Sequence, residues 1–257
     1  MIANTIEEVI DQLELIIQNS IHDESTLGYF AALYQNVTIN VKNKLGQNYF
    51  DNDERMEQLD VVFANRYLMA YSDYEQGKDI TKSWEMAFKL SKDNQLIVLQ
   101  HLLLGMNAHI NLDLGIAAAE ITNASTLPDL HSDFNKINDI LSSLIDEVQK
   151  DLGNIWPTLL KILKWAKNVD DFLVSFSMNS ARDGAWKFAN EIVDIEEKPK
   201  REQFIFERDK KISELTKLIT NHGIVGKIIF IIIRLSERGK PSDKIKALKN
   251  SIQISKK

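Results

Sequence analysis

Residues Leu102–Gly115 read LLLGMNAHINLDLG, an apolar stretch interrupted by Asn107, His109, Asn111 and Asp113. Apolar residues on every side of a helical wheel mark a helix that is covered all round rather than one with a wet face. Working outward, Asn94 offers a cap and the pattern holds to Ile121, which predicts a buried central helix over about 94–121. At about 100° per residue, His109 and Asp113 fall one turn apart on one side, with His101 two turns earlier. Asn107 and Asn111 form a second one-turn pair on another side. Buried polar groups need partners, because each one left unpaired costs roughly 1–3 kcal/mol.

The flanking sequence is helical throughout. Thr5 and Glu8 form a capping-box pattern ahead of Ile6, Val9, Ile10, Leu13, Ile16 and Ile17 at helical spacing. A second helix is predicted from Thr26 toward Leu45, stopped by Gly46. A third follows Asn52 and ends near Gly77, and a short one surrounds Trp84 and Phe88. Pro128 leads into a helix carrying Phe134, Ile137, Leu141, Leu144 and Val148. Further helices are predicted at about 157–167, 170–194, 200–221, 224–236 and 241–253. No stretch alternates with the period of a strand, so the fold class is all-α: a single globular bundle of about ten helices.

Composition narrows the function. A chain of 257 residues with 44% apolar content buries a sizeable core, and no Pro/Gly/Ser-rich linker divides it, which predicts one domain over 1–257. A formal charge of -6 argues against nucleic acid as a partner. Cysteine is absent, which rules out disulfides, zinc–thiolate sites and a cysteine nucleophile. The acidic start MIANTIEEVIDQLE lacks the basic and apolar regions of a secretory signal, so the expected location is cytoplasmic. The greasiest run, Ile224–Leu235, contains Lys227 and is shorter than the roughly 20 residues of a bilayer span, which predicts a buried helix and no transmembrane segment. Beyond it, 241–257 is a basic segment expected to pack isoleucines on the bundle and leave its lysines in water, so that its deletion should cost little stability.

Polar residues on apolar faces mark the candidate site. Arg182 sits within the arc formed by Val174, Met178, Ala181, Ala185 and Ala189, with Asp183 at its edge. Arg66 is surrounded by Leu59, Val62, Phe63 and Ala70, with Asn65 beside it. Asp133 shares a side with Ile137, Ile140 and Leu144, flanked by His131 and Asn138. A shared polar core or pocket would satisfy these groups together. His109 with Asp113 at i,i+4 is compatible with a metal pair, with an acid/base pair whose carboxylate orients the ring, or with a structural hydrogen bond. No cofactor is required, and a divalent metal is open only through His109 and Asp113. Arg182 fits either an anion clamp or a buried salt bridge. Trp84, Trp186, Tyr67 and Tyr71 read as core aromatics. Phosphate loops, dinucleotide fingerprints, nucleophile elbows and His-Glu-x-x-His are all missing from the sequence.

The run GMNAHINLDL at Gly105–Leu114 resembles the signature of a bacterial domain-of-unknown-function family, numbered 5995. LDVVFANRYL at Leu59–Leu68, HSDFNKINDIL at His131–Leu141 and ARDGAW at Ala181–Trp186 fit the same pattern, over about 25–195. The resemblance carries over to Asn65, Asn107, His109, Asn111, Asp113, His131, Asp133, Asn138, Arg182, Asp183 and Trp186, and does not demand His101 or Arg66. It brings no activity with it.

Two readings follow. In the first, a small-molecule enzyme performs acid/base or hydrolytic chemistry, with His109 as base or metal ligand, Asp113 as orienter and Arg182, beside Asp183, holding an anionic substrate. In the second, a non-catalytic binding or scaffold protein uses the same residues as a buried network. A pocket of at least about 300 Å³ touching His109 would favour the first. The expected division is that Asn107 and Asn111 are structural while His109 and Asp113 face a cavity.

Overall fold

The computed structural model describes residues 2–137, 140, 178–221, 223–237 and 239–250. Ten α-helices have defined bounds, and no strand occurs among the described residues. They are α1 (Ile6–His22), α2 (Gly28–Lys44), α3 (Asp53–Glu75), α4 (Lys82–Leu90), α5 (Val98–Ala108), α6 (Leu114–Glu120), α7 (Met178–Ile192), α8 (Lys198–Thr220), α9 (Gly223–Ser236) and α10 (Pro241–Asn250). Residues 127–137 are helical as well. The predicted helix at 157–167, the first part of that at 170–194, and Asn138 lie outside the described residues.

Local sequence explains the first helices. The Thr5 hydroxyl accepts the Glu8 N–H at 3.2 Å, and the Glu8 carboxylate reaches the Asn4 N–H at 2.7 Å, one residue earlier than in the standard reciprocal cap. Asn52 caps α3 by accepting the Arg55 N–H at 2.9 Å. Gly46 and Gly77, with φ of +73° and +68°, take the left-handed conformation that stops α2 and α3.

The central helix departs from the expected straight α-helix over 94–121. It begins at Val98 rather than at Asn94, and His109–Asp113 form a π-helical turn between α5 and α6. The extra residue in that turn rotates everything after it relative to an α-helical wheel. Two glycines let neighbours approach closely: a Cβ on Gly105 would lie 2.5 Å from the Phe30 ring, and one on Gly115 would lie 2.6 Å from the Ala185 carbonyl oxygen of α7. From α8, Arg208 donates through Nε and Nη2 to the Asn111 carbonyl, at 3.1 and 3.0 Å, and so holds a backbone acceptor of the π turn.

Several helices start against a carboxylate supplied from elsewhere in the chain. Asp209 of α8 accepts the Lys82 and Ser83 N–H groups of α4 at 2.6 and 2.9 Å. Glu237 accepts the Val98 N–H, and Glu24 accepts the Ser242 N–H at 2.9 Å. Asp133 accepts the Asp51 and Asn52 N–H groups just ahead of α3, at 2.6 and 3.1 Å. In each case an anion meets orphan amides and the positive end of the helix dipole.

In the C-terminal segment Ile245 packs on the bundle as expected, but Lys244 is not left in water. Lys244, Ile245 and Leu248 of α10 are buried, and α10 packs on α1 and α2. Lys244 pairs with Glu237 at 3.1 Å, so its ammonium neutralises a carboxylate that already caps the central helix. The greasy helix α9 is also not covered all round, since Ile233 is buried while Leu235 is 80% exposed. Among the described residues, the helix over Val98–Glu120 is long and apolar enough to cross a membrane, and 94% of its most apolar window is buried inside the fold.

The apolar core is divided into two clusters. Tyr29, Trp84, Leu102 and Ala108 belong to one, and Met56, Ile110, Leu114 and Phe188 to the other; Val37, Phe63 and Met106 pack against both.

Candidate functional site

Where the two clusters meet, α2, α3 and the central helix enclose a cavity of about 80 Å³. Val37, Phe63 and Met106 form part of its wall, so the cavity follows the seam between the clusters. His109, Asp60 and Tyr34 bring the only polar groups to an otherwise apolar lining among the described residues.

His109 is held by aromatic neighbours and a carboxylate. Its ring stacks on Phe63 with centroids 3.6 Å apart and planes 8° apart, and Tyr34 approaches edge-on at 4.5 Å. Nδ1 lies 3.2 Å from Asp113 Oδ2. Asp113 in turn receives Arg66 Nε on Oδ1 at 2.8 Å and Trp84 Nε1 on Oδ2 at 2.7 Å. Burial pushes the Asp113 carboxyl up, but Arg66, His109 and Trp84 outweigh it and hold the group below the usual carboxylate value. For His109 burial is the largest influence and lowers its pKa against the pull of Asp113. A neutral imidazole beside an ionised carboxylate places its proton on Nδ1, which leaves Nε2 as an acceptor. That Nε2 is sealed from solvent and has no hydrogen-bond partner among the described residues.

Asp60 adds a second unpaired group. Its Oδ2 is buried without a partner among the described residues, and burial, aided by Glu57, raises its pKa to about 8. The carboxyl therefore keeps its proton at neutral pH and has a donor to offer. The Tyr34 hydroxyl stays protonated for the same reason of burial.

Among the described residues, the predicted polar residues are not gathered into one pocket. Asn107 donates to the Ile212 carbonyl of α8 at 3.0 Å, and Asn111 donates to Asn107 Oδ1 at 3.0 Å, which joins two helices. Asn65 binds both the N–H and the carbonyl of Ala3, at 2.7 and 2.8 Å, and anchors the chain ahead of α1. Asp133 is occupied by the amides ahead of α3, by Arg55 at 3.3 Å and by Lys136 at 3.1 Å. His131 is exposed, lies against Trp186 with centroids 4.6 Å apart, and meets Asn135. Arg182, buried, donates to the Phe134 carbonyl and covers the Phe134 ring, while Asp183 is exposed. None of these side chains lines the cavity at His109. Among the described residues, Asp133, Arg182 and Asp183 thus do not share the cavity at His109, and Asp133 and Arg182 make their hydrogen bonds elsewhere. Among the described residues no three His, Asp or Glu side chains form a set that would hold a metal ion, and the oxygens of Asp113 are engaged by Arg66, Trp84 and His109.

Sequence reasoning missed Asp60, Tyr34 and Phe63 as wall residues. A signal was available in LDVVFANRYL, where Asp60 lies one helical turn before Phe63 and Ala64 on a face that is otherwise apolar. Arg66 was legible as an inward charge. Its partner was not, because the π turn moves Asp113 off the α-helical wheel.

A family model described as a family of unknown function, DUF5995, matches residues 6–222, and so reaches past both ends of the 25–195 stretch that carries the resemblance. No curated protein and no solved structure matches the chain.

Proposed function

The chain belongs to DUF5995, a family whose membership supplies no chemistry, and we propose from the site itself that the protein binds a small, mostly apolar molecule carrying one polar handle. The observation behind this reading is an apolar cavity with His109 in its wall, whose Nε2 has no hydrogen-bond partner among the described residues and becomes reachable by a ligand hydroxyl once the closely packed wall gives way slightly. An unpaired buried acceptor costs roughly 1–3 kcal/mol, and a ligand donor offsets that cost. A hydroxyl suits the setting: its proton goes to Nε2, and its lone pairs can accept from a protonated Asp60 carboxyl. The apolar remainder would lie against Val37, Leu59 and Met106.

A volume of about 80 Å³ accommodates a group of a few heavy atoms and falls below the roughly 300 Å³ of ordinary small-molecule pockets. Hydrolysis needs room for a substrate and an attacking water, so binding is the better-supported reading. The Asp113–His109 arrangement does resemble that of an oriented general base, and proton exchange with a bound hydroxyl is chemistry these groups can perform. An anionic substrate has no support here, because the nearby cation, Arg66, is neutralised by Asp113.

The test is a titration of the ¹⁵N-labelled protein with phenol and with 1-butanol, following the imidazole nitrogens. Binding should move His109 Nε2 selectively, and filling the cavity by Val37→Phe should abolish the effect. No perturbation at saturating probe would overturn the proposal.

A further inference from the structure

A second concavity, of about 500 Å³, opens at the N-terminal end of the central helix, between the last turns of α1 and α3 and the segment joining α9 to α10. Among the polar side chains in its wall that are more than nine-tenths buried are Tyr29, 2% exposed, and His101, 8% exposed. Their ring centroids lie 5.7 Å apart. Neither the Tyr29 hydroxyl nor the His101 ring hydrogen-bonds to any described residue, and neither is sealed from solvent. Both present unused hydrogen-bonding capacity to the cleft.

The wall carries charge of both signs in near balance, with Asp23, Glu24, Glu75 and Glu237 against Lys92, Arg234 and Lys244. Glu237 caps Val98 at 2.9 Å and pairs with Lys244, Glu24 holds both the N–H and the hydroxyl of Ser242, and Arg234 Nε donates to the Asn94 carbonyl at 2.8 Å. An incoming anion would meet the Glu237 carboxylate already at the helix N-terminus. An incoming cation would face Lys244 and Arg234. Burial, opposed by Asp93 and reinforced by Lys244 and Arg234, lowers the His101 pKa to about 4 and keeps the imidazole neutral. Burial likewise keeps Tyr29 protonated. A neutral imidazole offers one donor and one acceptor, and a phenol offers both on one oxygen, which is the bonding pattern of a sugar hydroxyl.

We propose that this cleft binds a neutral, hydroxyl-rich molecule of mono- to disaccharide size, with Tyr29 and His101 bonding neighbouring hydroxyls and the Tyr71 ring in the same wall adding apolar surface. The volume lies within the range of ordinary small-molecule sites, roughly 300–1,000 Å³. This site shares no lining residue with the His109 cavity, although α2, α3 and the central helix contribute to both.

Saturation-transfer NMR and calorimetry on the full chain, using glucose, galactose and maltose, test the proposal, with adenosine, spermidine and inorganic phosphate as contrasting probes. At least one sugar should bind with a millimolar Kd. Tyr29→Phe, which deletes one oxygen, should weaken that binding about 5- to 10-fold at an unchanged melting temperature. Asp60→Asn should leave it unaltered, which separates this site from the His109 cavity. Absence of sugar binding at tens of millimolar, preference for spermidine, adenosine or phosphate, or sugar binding indifferent to Tyr29→Phe would each overturn it.

Discussion

Glu237 accepts the backbone N–H of Val98 at 2.9 Å, so the first turn of the central helix is closed by a carboxylate 139 positions further along the chain. Lys244 completes the arrangement from α10. The C-terminal helix is thereby tied to the helix that carries both candidate sites.

Deleting residues 241–257 should therefore be strongly destabilising. It removes the buried Ile245 and Leu248, each worth about 1.5–3 kcal/mol, and strips a buried carboxylate of its cation. The loss should be on the order of 5 kcal/mol or more by urea denaturation, with the unfolded chain as the limiting case. A truncated protein as stable as the parent would contradict the role assigned to α10.

Arg66→Met should leave the Asp113 carboxylate with only Trp84 and His109. Stranding a buried charge costs about 3–5 kcal/mol, and because the Arg66 side chain is 24% exposed, about 2–4 kcal/mol is expected here. The double variant Arg66→Met/Asp113→Leu should recover part of that loss, because it removes the unpaired charge. Urea curves on the two variants and on Asp113→Leu alone give the coupling. Additive losses would mean that the pair is not coupled as described.

The all-helical fold was legible because the period of the apolar residues survives in nearly every helix. What the sequence did not show was where the buried acids point. Asp133 resembled a site residue by its apolar face, yet it is consumed by backbone amides 81 and 82 positions away. A side chain accepting from a distant helix start leaves no local pattern, and the same holds for Asp209 and Glu237. The π turn hid the rest, since a wheel drawn at one angle per residue cannot anticipate an inserted residue. His109, Asp113 and the Asn107–Asn111 pair were legible because i,i+4 contacts depend only on local spacing.

Asp60→Asn should stabilise the protein, and more so as the pH rises. The folded-state pKa of Asp60, about 8, lies above its ordinary 3.8, so the folded state holds a proton that the unfolded chain has released. Stability contributed by this group is fully present below pH 3.8 and falls until about pH 8, by up to about 1.4 kcal/mol per pH unit. An amide does not titrate. The gap between variant and parent should widen from acid to about pH 8 and then level off, as followed by denaturation across that range. A constant gap would show that Asp60 is ionised in the fold.

His109→Phe separates a binding role from a packing role. Phenylalanine keeps a flat ring beside Phe63 and Tyr34 but removes both nitrogens, while Asp113 retains Arg66 and Trp84. Stability near pH 7 should change by no more than about 1.5 kcal/mol, whereas His109→Ala should lose about 2–5 kcal/mol by opening a void. Phenol binding should disappear in the Phe variant. The pH profile gives an independent check. Because burial lowers the His109 pKa from 6.5, the unfolded chain takes up the proton first, and stability contributed by the neutral ring is lost as pH falls below 6.5. His101, lowered to about 4 by burial, contributes in the same direction. Replacing His109 should thus reduce the proton uptake on unfolding below pH 6.5. Undiminished uptake would mean that His109 is charged in the fold, and phenol binding that survives the substitution would remove Nε2 from the proposed site.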